Sequence, residues 1–320
     1  MWLASRARPE RGFPSGGAIR IWLIVLVLLS MMVFLVSACR RAAPAGTPAP
    51  APTASAPTVP PPDSQGFTIY FIDVGQGDAT LVVDRSGASL LVDGGRSGRR
   101  IRDRLQRLGV KDLDSIAMTH PDSDHIGGLP QVLELYPIER IYLNGGESDT
   151  QIFAQLTTGV AAEGAVVTTI SRGDVIPLGG LQLQVLHPAA LTGESNIDSL
   201  VLLVSCGSVS VLLTADAEAE SERAMLASGV LGDVDVLKVG HHGSRTSTTA
   251  EFLAQVRPEA GVISAGQDNS YGHPHPEVVA RLEAANVQLF TTDTTNADNT
   301  LALTSDCRTY QFQAAEALGR

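Results

Sequence analysis

Cysteine is scarce, with three residues in 320. That excludes a disulfide framework as the basis of the fold. Positive charge is also short: 23 Lys and Arg stand against 34 Asp and Glu, a net of −11. The first 38 residues carry Arg6, Arg8, Arg11 and Arg20 against Glu10, so the remainder is near −14. A body this acidic excludes nucleic-acid binding across a broad electrostatic face. No internal repeat of short fixed period runs through the chain. What is present is enough for a sizeable core, with 44% hydrophobic and 18% charged residues over a length that suits one large domain or two small ones.

The long apolar run lies at the amino terminus, from Ile21 to Leu29 and, after Ser30, from Met31 to Val36. Arginines precede it and Val36-Ser37-Ala38-Cys39 ends it, the marks of a secretory signal over residues 1–38. Cys39 after two small residues resembles a bacterial lipobox, which implies that Cys39 is lipidated and becomes the mature first residue. An uncleaved membrane anchor is the alternative, since the run is nearly long enough to span. Both readings tether the rest to the membrane, outside the cytoplasm. Residues 39–65, rich in Ala, Pro, Thr and Ser, read as a flexible linker.

The body, residues 66–320, is organised around Thr119-His120-Pro121-Asp122-Ser123-Asp124-His125. The apolar run Ser115 to Met118 leads in, and Gly127-Gly128-Leu129 leads out into a helical pattern. Four groups able to ligate a metal thus lie between a strand end and a helix start. Carboxylates this close repel unless a cation or hydrogen-bond donors sit between them. Two histidines with two carboxylates make a metal-site donor set; a solvated turn with Asx-type hydrogen bonds is the plainer alternative.

Strands are expected over Phe67–Val74, Ala79–Val83, Ser89–Val92, Ile138–Leu143, Val166–Ile170 and Leu181–Leu186, with a hairpin over Leu200–Val204 and Val209–Leu213. Apolar spacing predicts helices over Ile101–Leu108, Leu129–Leu135, Thr150–Ala162, Ala217–Leu226, Ser247–Val256 and Pro276–Ala285. Strands and helices mixed through two successive halves indicate an α/β sandwich, strands inside and helices outside. Further chemical residues stand at strand ends: Asp93 after Leu91-Val92, Asp216 after Val211-Leu212-Leu213, and His241-His242 after Lys238-Val239-Gly240. Ligands gather at such ends in open α/β architectures.

Taken together these segments resemble the metallo-β-lactamase superfamily, and within it the extracellular domain of ComEC/Rec2 competence proteins. The markers, in order, are Phe71-Ile72-Asp73-Val74-Gly75-Gln76-Gly77-Asp78, Leu91-Val92-Asp93-Gly94-Gly95, the His120–Gly128 loop, Asn196-Ile197-Asp198-Ser199-Leu200, Leu213-Thr214-Ala215-Asp216, Lys238-Val239-Gly240-His241-His242-Gly243-Ser244 and Ser270-Tyr271-Gly272-His273-Pro274-His275-Pro276. The resemblance implies an αββα sandwich with two divalent metal ions at its edge. His120 and Asp122 would serve one ion, Asp124, His125 and His241 the other, and Asp216 would bridge them. Asp93 would orient the loop, and Asp78 is a further nearby carboxylate.

Two departures bear on the metal. Asp122 stands where the wider superfamily has His, as it does in the competence branch. Asn196 occupies the region of another family His, with His187 the nearby replacement. The first site is then rich in oxygen, which moves the metal from Zn²⁺ towards Mn²⁺, with Mg²⁺ admitted. Ala215 replaces a common family Gly.

The resemblance implies hydrolysis of a phosphodiester, DNA above all, with Asp124 holding the attacking hydroxide and His242, His273 or His275 supplying the leaving-group proton. Phosphodiesters of cell-envelope polymers or lipid head groups are the second reading, and a non-catalytic binding or scaffold lipoprotein the third. The stretch Gly95 to Leu108 is the basic exception in an acidic body, and Arg96, Arg99 and Arg100 are its candidate phosphate contacts. A solvated helix face explains the same run. Cys206 and Cys307 both fall at expected hairpin turns, and outside the cytoplasm a disulfide between them is permitted.

Overall fold

Along Phe67–Phe71 (β1) alternate side chains part company: Phe67, Ile69 and Phe71 enter one apolar core and Tyr70 another. The same alternation runs through Thr80–Asp84 (β2), Ser89–Val92 (β3), Ser115–Met118 (β4) and Arg140–Leu143 (β5). Both faces of these strands are therefore buried, one against a second sheet and one against helices. This is the architecture of a computed structural model that describes residues 66–292 and 300–315. The expected signal segment, Cys39 and the whole of the linker lie outside the described residues. No helix among the described residues is long and apolar enough to cross a membrane.

The first sheet has eight strands. Val166–Thr169 (β6) closes one edge, and Leu301–Ser305 and Tyr310–Ala314 pair beside β1 at the other. The second sheet has seven: Val175–Leu178 (β7), Leu181–His187 (β8), Val201–Cys206 (β9), Val209–Leu213 (β10), Val236–Lys238 (β11), Ala260–Ile263 (β12) and Gln288–Thr291 (β13). The last two strands of the chain are β14 and β15. Phe71, Val82 and Leu90 of the first sheet share a core with Leu183, Leu202 and Val211 of the second. Gly98–Arg107 (α1), Leu129–Leu135 (α3) and Gln151–Glu163 (α4) cover the outer face of the first sheet. Ala219–Ser228 (α5), Ala250–Val256 (α6) and Pro276–Ala284 (α7) cover that of the second. The αββα order expected from the sequence is present.

One detail differs from the sequence reading, and a pairing that it left open is present. Residues expected as an open loop include a single helical turn, Ser123–Ile126 (α2), which faces Asp124 and His125 towards the protein. Cys206, at the end of β9, is joined by a disulfide to Cys307, in the turn between β14 and β15, so the bond spans the two sheets.

Candidate metal centre

Asp93 anchors the site. It follows β3, is fully buried, and has φ of 60°, a conformation most side chains avoid. Its Oδ1 accepts from the Thr119 backbone N–H at 2.9 Å and its Oδ2 from the Thr119 hydroxyl at 2.7 Å. Oδ2 also lies 2.7 Å from His125 Nδ1. That contact fixes the imidazole and leaves Nε2 pointing inward. His120 is held in a similar way, with Nδ1 3.0 Å from the Thr119 hydroxyl and 3.3 Å from that of Ser199.

The second sheet supplies the opposing groups. Asp216 follows β10 through Ala215, whose φ of 45° explains why Gly suits that position. Its Oδ1 lies 3.3 Å from His125 Nε2, and its Oδ2 lies 3.4 Å from His242 Nε2 and 3.6 Å from His241 Nε2. His241 and His242 sit in a tight turn with φ of 46° and 55°. That turn sends them in different directions. His242 is buried, with Nδ1 2.9 Å from the Ser264 carbonyl and Nε2 3.7 Å from Asp124 Oδ2. His241 is partly open and turns Nδ1 towards Glu218 and Thr246, each at 3.2 Å.

The loop after β1 closes the site from below. Asp78 donates its backbone N–H to the Asp124 carbonyl at 3.2 Å, and Lys238 Nζ donates to Asp78 Oδ2 at 2.8 Å. The approach is so close that a Cβ on Gly77, whose φ is 130°, would strike the Asp124 carbonyl.

These residues fit a divalent cation. His120 Nε2, His125 Nε2, His242 Nε2, Asp216 Oδ1 and Asp78 Oδ1 are all buried without a hydrogen-bond partner, although several lie close to one another. Buried polar atoms are seldom left so. The rings' other nitrogens are bound to hydroxyl, carboxylate or carbonyl oxygens, the arrangement that presents a ligand nitrogen to a metal. Ligand atoms converge within 4.8 Å in three groups: His120, His125 and Asp216; Asp124, His125 and His242; Asp78, Asp216 and His242.

The electrostatics point the same way. Burial lowers the proton affinity of His125, but Asp216 and Asp93 reverse this and raise it well above the usual imidazole range. Burial acts likewise on His242, and Asp216 with Asp78 overcomes it. His120, buried and beside His125, is pushed down to about 4. Asp216 stays ionised far below the usual carboxylate range: burial opposes its charge, and the facing His242 and His125 outweigh burial. The carboxylates thus draw positive charge into their midst, the role a divalent ion fills.

The expected site residues do not all meet. His242, expected as a proton donor, belongs to two of the three ligand groups, whereas His241, expected as a ligand, belongs to none. Asp122 also stands outside them: its Oδ1 accepts from the Ser195 hydroxyl at 2.6 Å and its Oδ2 lies 3.8 Å from His120 Nε2. Asn196 donates to Glu218 at 3.3 Å, and its buried Oδ1 has no partner. His187 Nε2 is 2.7 Å from the Ile197 carbonyl, so it braces the Asn196 loop. His273 lies against the centre, its ring 5.5 Å from that of His241 and 6.2 Å from that of His242. Burial and these neighbouring imidazoles lower it to about 4. His275 Nδ1 accepts the Arg245 backbone N–H at 3.1 Å, a loop-bracing role.

Arg99, Arg100, Arg104 and Arg107 of α1 line a cavity of about 630 Å³ with Gln76, Asn269 and Tyr271. Arg96 reaches the Tyr271 hydroxyl at 3.4 Å, and Arg104 donates to the Asp73 carboxylate at 2.7 Å. Sequence reasoning assigned no part to Ser195, Ser199, Glu218, Lys238, Asn269 or Tyr271. One signal was available: Lys238 interrupts an apolar strand, and a buried Lys requires a partner.

Comparison with known proteins gives the family. The model of the metallo-beta-lactamase superfamily matches residues 72–267. ComE operon protein 3 of Bacillus subtilis is 34% identical over 245 residues, covering 70% of this chain and 32% of its own length. Recombination protein 2 of Haemophilus influenzae is 37% identical over 219 residues, covering 66% and 26%. Competence protein ComA of Neisseria gonorrhoeae is 31% identical over 248 residues, covering 75% and 33%. The chain thus spans about a quarter to a third of the length of these relatives. On its motifs, its αββα layers and these matches, the chain belongs to the metallo-beta-lactamase superfamily of metal-dependent hydrolases, in its ComEC/Rec2-like branch.

Proposed function

We propose that the chain is a surface-tethered phosphodiesterase, a nuclease of the ComEC type acting on DNA outside the membrane with two divalent metal ions. Mn²⁺ and Zn²⁺ suit the mixed imidazole and carboxylate donors best, with Mg²⁺ also admitted. The observation that carries the reading is the placement of unpaired, inward-facing ligand atoms next to an arginine-lined cavity. The competence relatives support a phosphodiester substrate.

Bound divalent cations supply Lewis acidity and lower the pKa of a water at neutral pH. His120, His125, Asp124, Asp216 and His242 would hold them, with Asp78 beneath and Asp122 and His241 at the rim. Asp124, partly open at the mouth, would hold the attacking oxygen through its carboxylate. His273, lowered to about 4, is neutral at pH 7, so it would contact the substrate through its unpaired Nδ1 rather than act as the leaving-group acid. Arg96, Arg99 and Arg100 would bind phosphate oxygens of the chain leading away.

The test is hydrolysis of bis(4-nitrophenyl) phosphate and of DNA by Mn²⁺-, Zn²⁺- and Mg²⁺-loaded protein, with Asp124→Ala beside it. Metal-dependent turnover lost in the variant is the expected result. No turnover with metal bound, or turnover untouched by the substitution, overturns it.

One observation favours the lipid or envelope reading: His120 and Pro121 also border an apolar cavity of about 480 Å³ with Phe153, Leu156 and Val160. Faster hydrolysis of a lipid phosphodiester than of DNA would establish that alternative. Attachment through lipidated Cys39 predicts a mature amino terminus at that residue carrying acyl mass; a chain retaining residues 1–38 would make the segment an anchor.

A further inference from the structure

Five rings stand in a row across the site. His120 and His125 are 4.1 Å apart between centroids, His125 and His242 5.4 Å, His242 and His273 6.2 Å, and His273 and Tyr271 5.7 Å. The row begins at the metal centre and ends at the wall of the arginine-lined cavity. Tyr271 lies nearly parallel to His273, at 24°, yet 53% of it is exposed. An exposed aromatic of this size on a loop is costly to hold in place, and here Asn269 does so, with Oδ1 accepting from the backbone N–H groups of Tyr271 at 3.1 Å and His273 at 3.0 Å. The Tyr271 hydroxyl faces Arg96 Nη2.

The cavity itself is strongly cationic. Arg96, Arg99, Arg100, Arg104 and Arg107 line it against Asp103. Asp73 engages Arg104 and, at 3.9 Å, Arg100. Arg96 and Arg99 are exposed, and neither is in an ion pair among the described residues. In a chain of net −11 this is a local reversal of field, and a cavity concentrates it.

We propose that Tyr271 and the Arg96–Arg99 wall form a strand-holding subsite for single-stranded nucleic acid, with a base stacked on Tyr271 and the flanking phosphates on the two guanidinium groups. The inference rests on the phosphodiester reading above and adds to it the form of the substrate. Aromatic rings interleaved with a basic groove bind unpaired strands without sequence preference, because every base has a face to stack. In a duplex those faces are already stacked and paired. The cavity adjoins the metal centre through His273, so a strand held there is led to the ligand groups.

The test uses the full chain with its metal and short phosphorothioate oligonucleotides, which resist cleavage, in single-stranded and duplex form. Binding is followed by fluorescence anisotropy over a range of salt. The single strand is expected to bind more tightly than the duplex. Tyr271→Ala weakens single-strand binding by about 5- to 100-fold, and Tyr271→Phe, which keeps the ring, restores most of it. Arg99→Ala reduces the slope of log K against log salt by about 0.7, the effect of one phosphate contact on a single strand. Thermal melting of each variant confirms that it is folded. Duplex binding as tight as single-strand binding, no effect of Tyr271→Ala, or equal loss in Tyr271→Phe overturns the subsite. Turnover of bis(4-nitrophenyl) phosphate by the unmodified protein reports separately on the phosphodiester reading: its absence sinks that reading whatever the oligonucleotides do.

Discussion

Lys238 Nζ lies 2.8 Å from Asp78 Oδ2, and both residues are buried. The pair pins the loop after β1 to the strand end that carries His241 and His242. Lys238 holds Asp78 ionised, well below the usual carboxylate range, although burial opposes that charge. Lys238→Met leaves the carboxylate stranded and costs about 3–5 kcal/mol in urea unfolding. The double variant Lys238→Met/Asp78→Leu recovers much of that loss, since it removes both charges. A single variant as stable as the parent would show that the pair does not matter.

His241 and His242 take different positions at the candidate centre. His242→Ala removes a buried ring that serves two ligand groups, and the purified protein is expected to lose most of its bound metal. His241→Ala removes a ring at the rim that leans on Glu218 and Thr246, and metal retention falls far less. Metal content after dialysis decides, and the opposite order would restore His241 as the ligand. Asp93→Asn, which keeps the shape but weakens the hold on His125, lowers metal affinity by about 10- to 100-fold.

Burial depresses the basicity of His187 below the ordinary 6.5, and its bond to the Ile197 carbonyl compensates only in part. A neutral buried imidazole contributes stability that is present above the unfolded-state value and is lost as pH falls through and below it. His187→Gln keeps a donor for the Ile197 carbonyl and cannot charge. Between about pH 7 and pH 5 its melting temperature should fall less than that of the parent. Parallel curves would mean that His187 does not titrate differently in the folded chain.

The Cys206–Cys307 bond closes a loop of 101 residues between the two sheets. Breaking it with Cys307→Ala costs about 2–5 kcal/mol by denaturant unfolding. Equal midpoints for parent and variant would show that the sheets' shared apolar core suffices.

The layers were legible because burial imposes period on sequence. Strands β1 to β5 alternate, α1 shows Ile101 and Leu105 one helical turn apart, and element ends fall within a few residues of expectation. The site was legible as a set of residue types and not as a geometry. Ser123–Ile126 is too short to show a helical period, so its residues read as loop. The His241-His242 turn needs two non-glycine residues at positive φ, which no propensity announces, and that turn decides which imidazole faces inward. The arginine run could face water or the site; the answer lies in a contact between Arg96 and Tyr271, 175 positions apart. The distance between Cys206 and Cys307 was likewise a property of the stacked sheets.

The ligand groups straddle the molecule. Asp78, Asp124, His120 and His125 hang from the first sheet, and Asp216 and His242 from the second. An ion bound by both acts as a reversible rivet between the two sheets, made only when the chain is folded. Its free concentration then weighs on folding as directly as on turnover: a hundredfold excess over the dissociation constant adds about 2.7 kcal/mol to the folded state. A chelator would therefore loosen the body as well as silence it, and the supply of metal around the protein would tune how firmly its two sheets hold together.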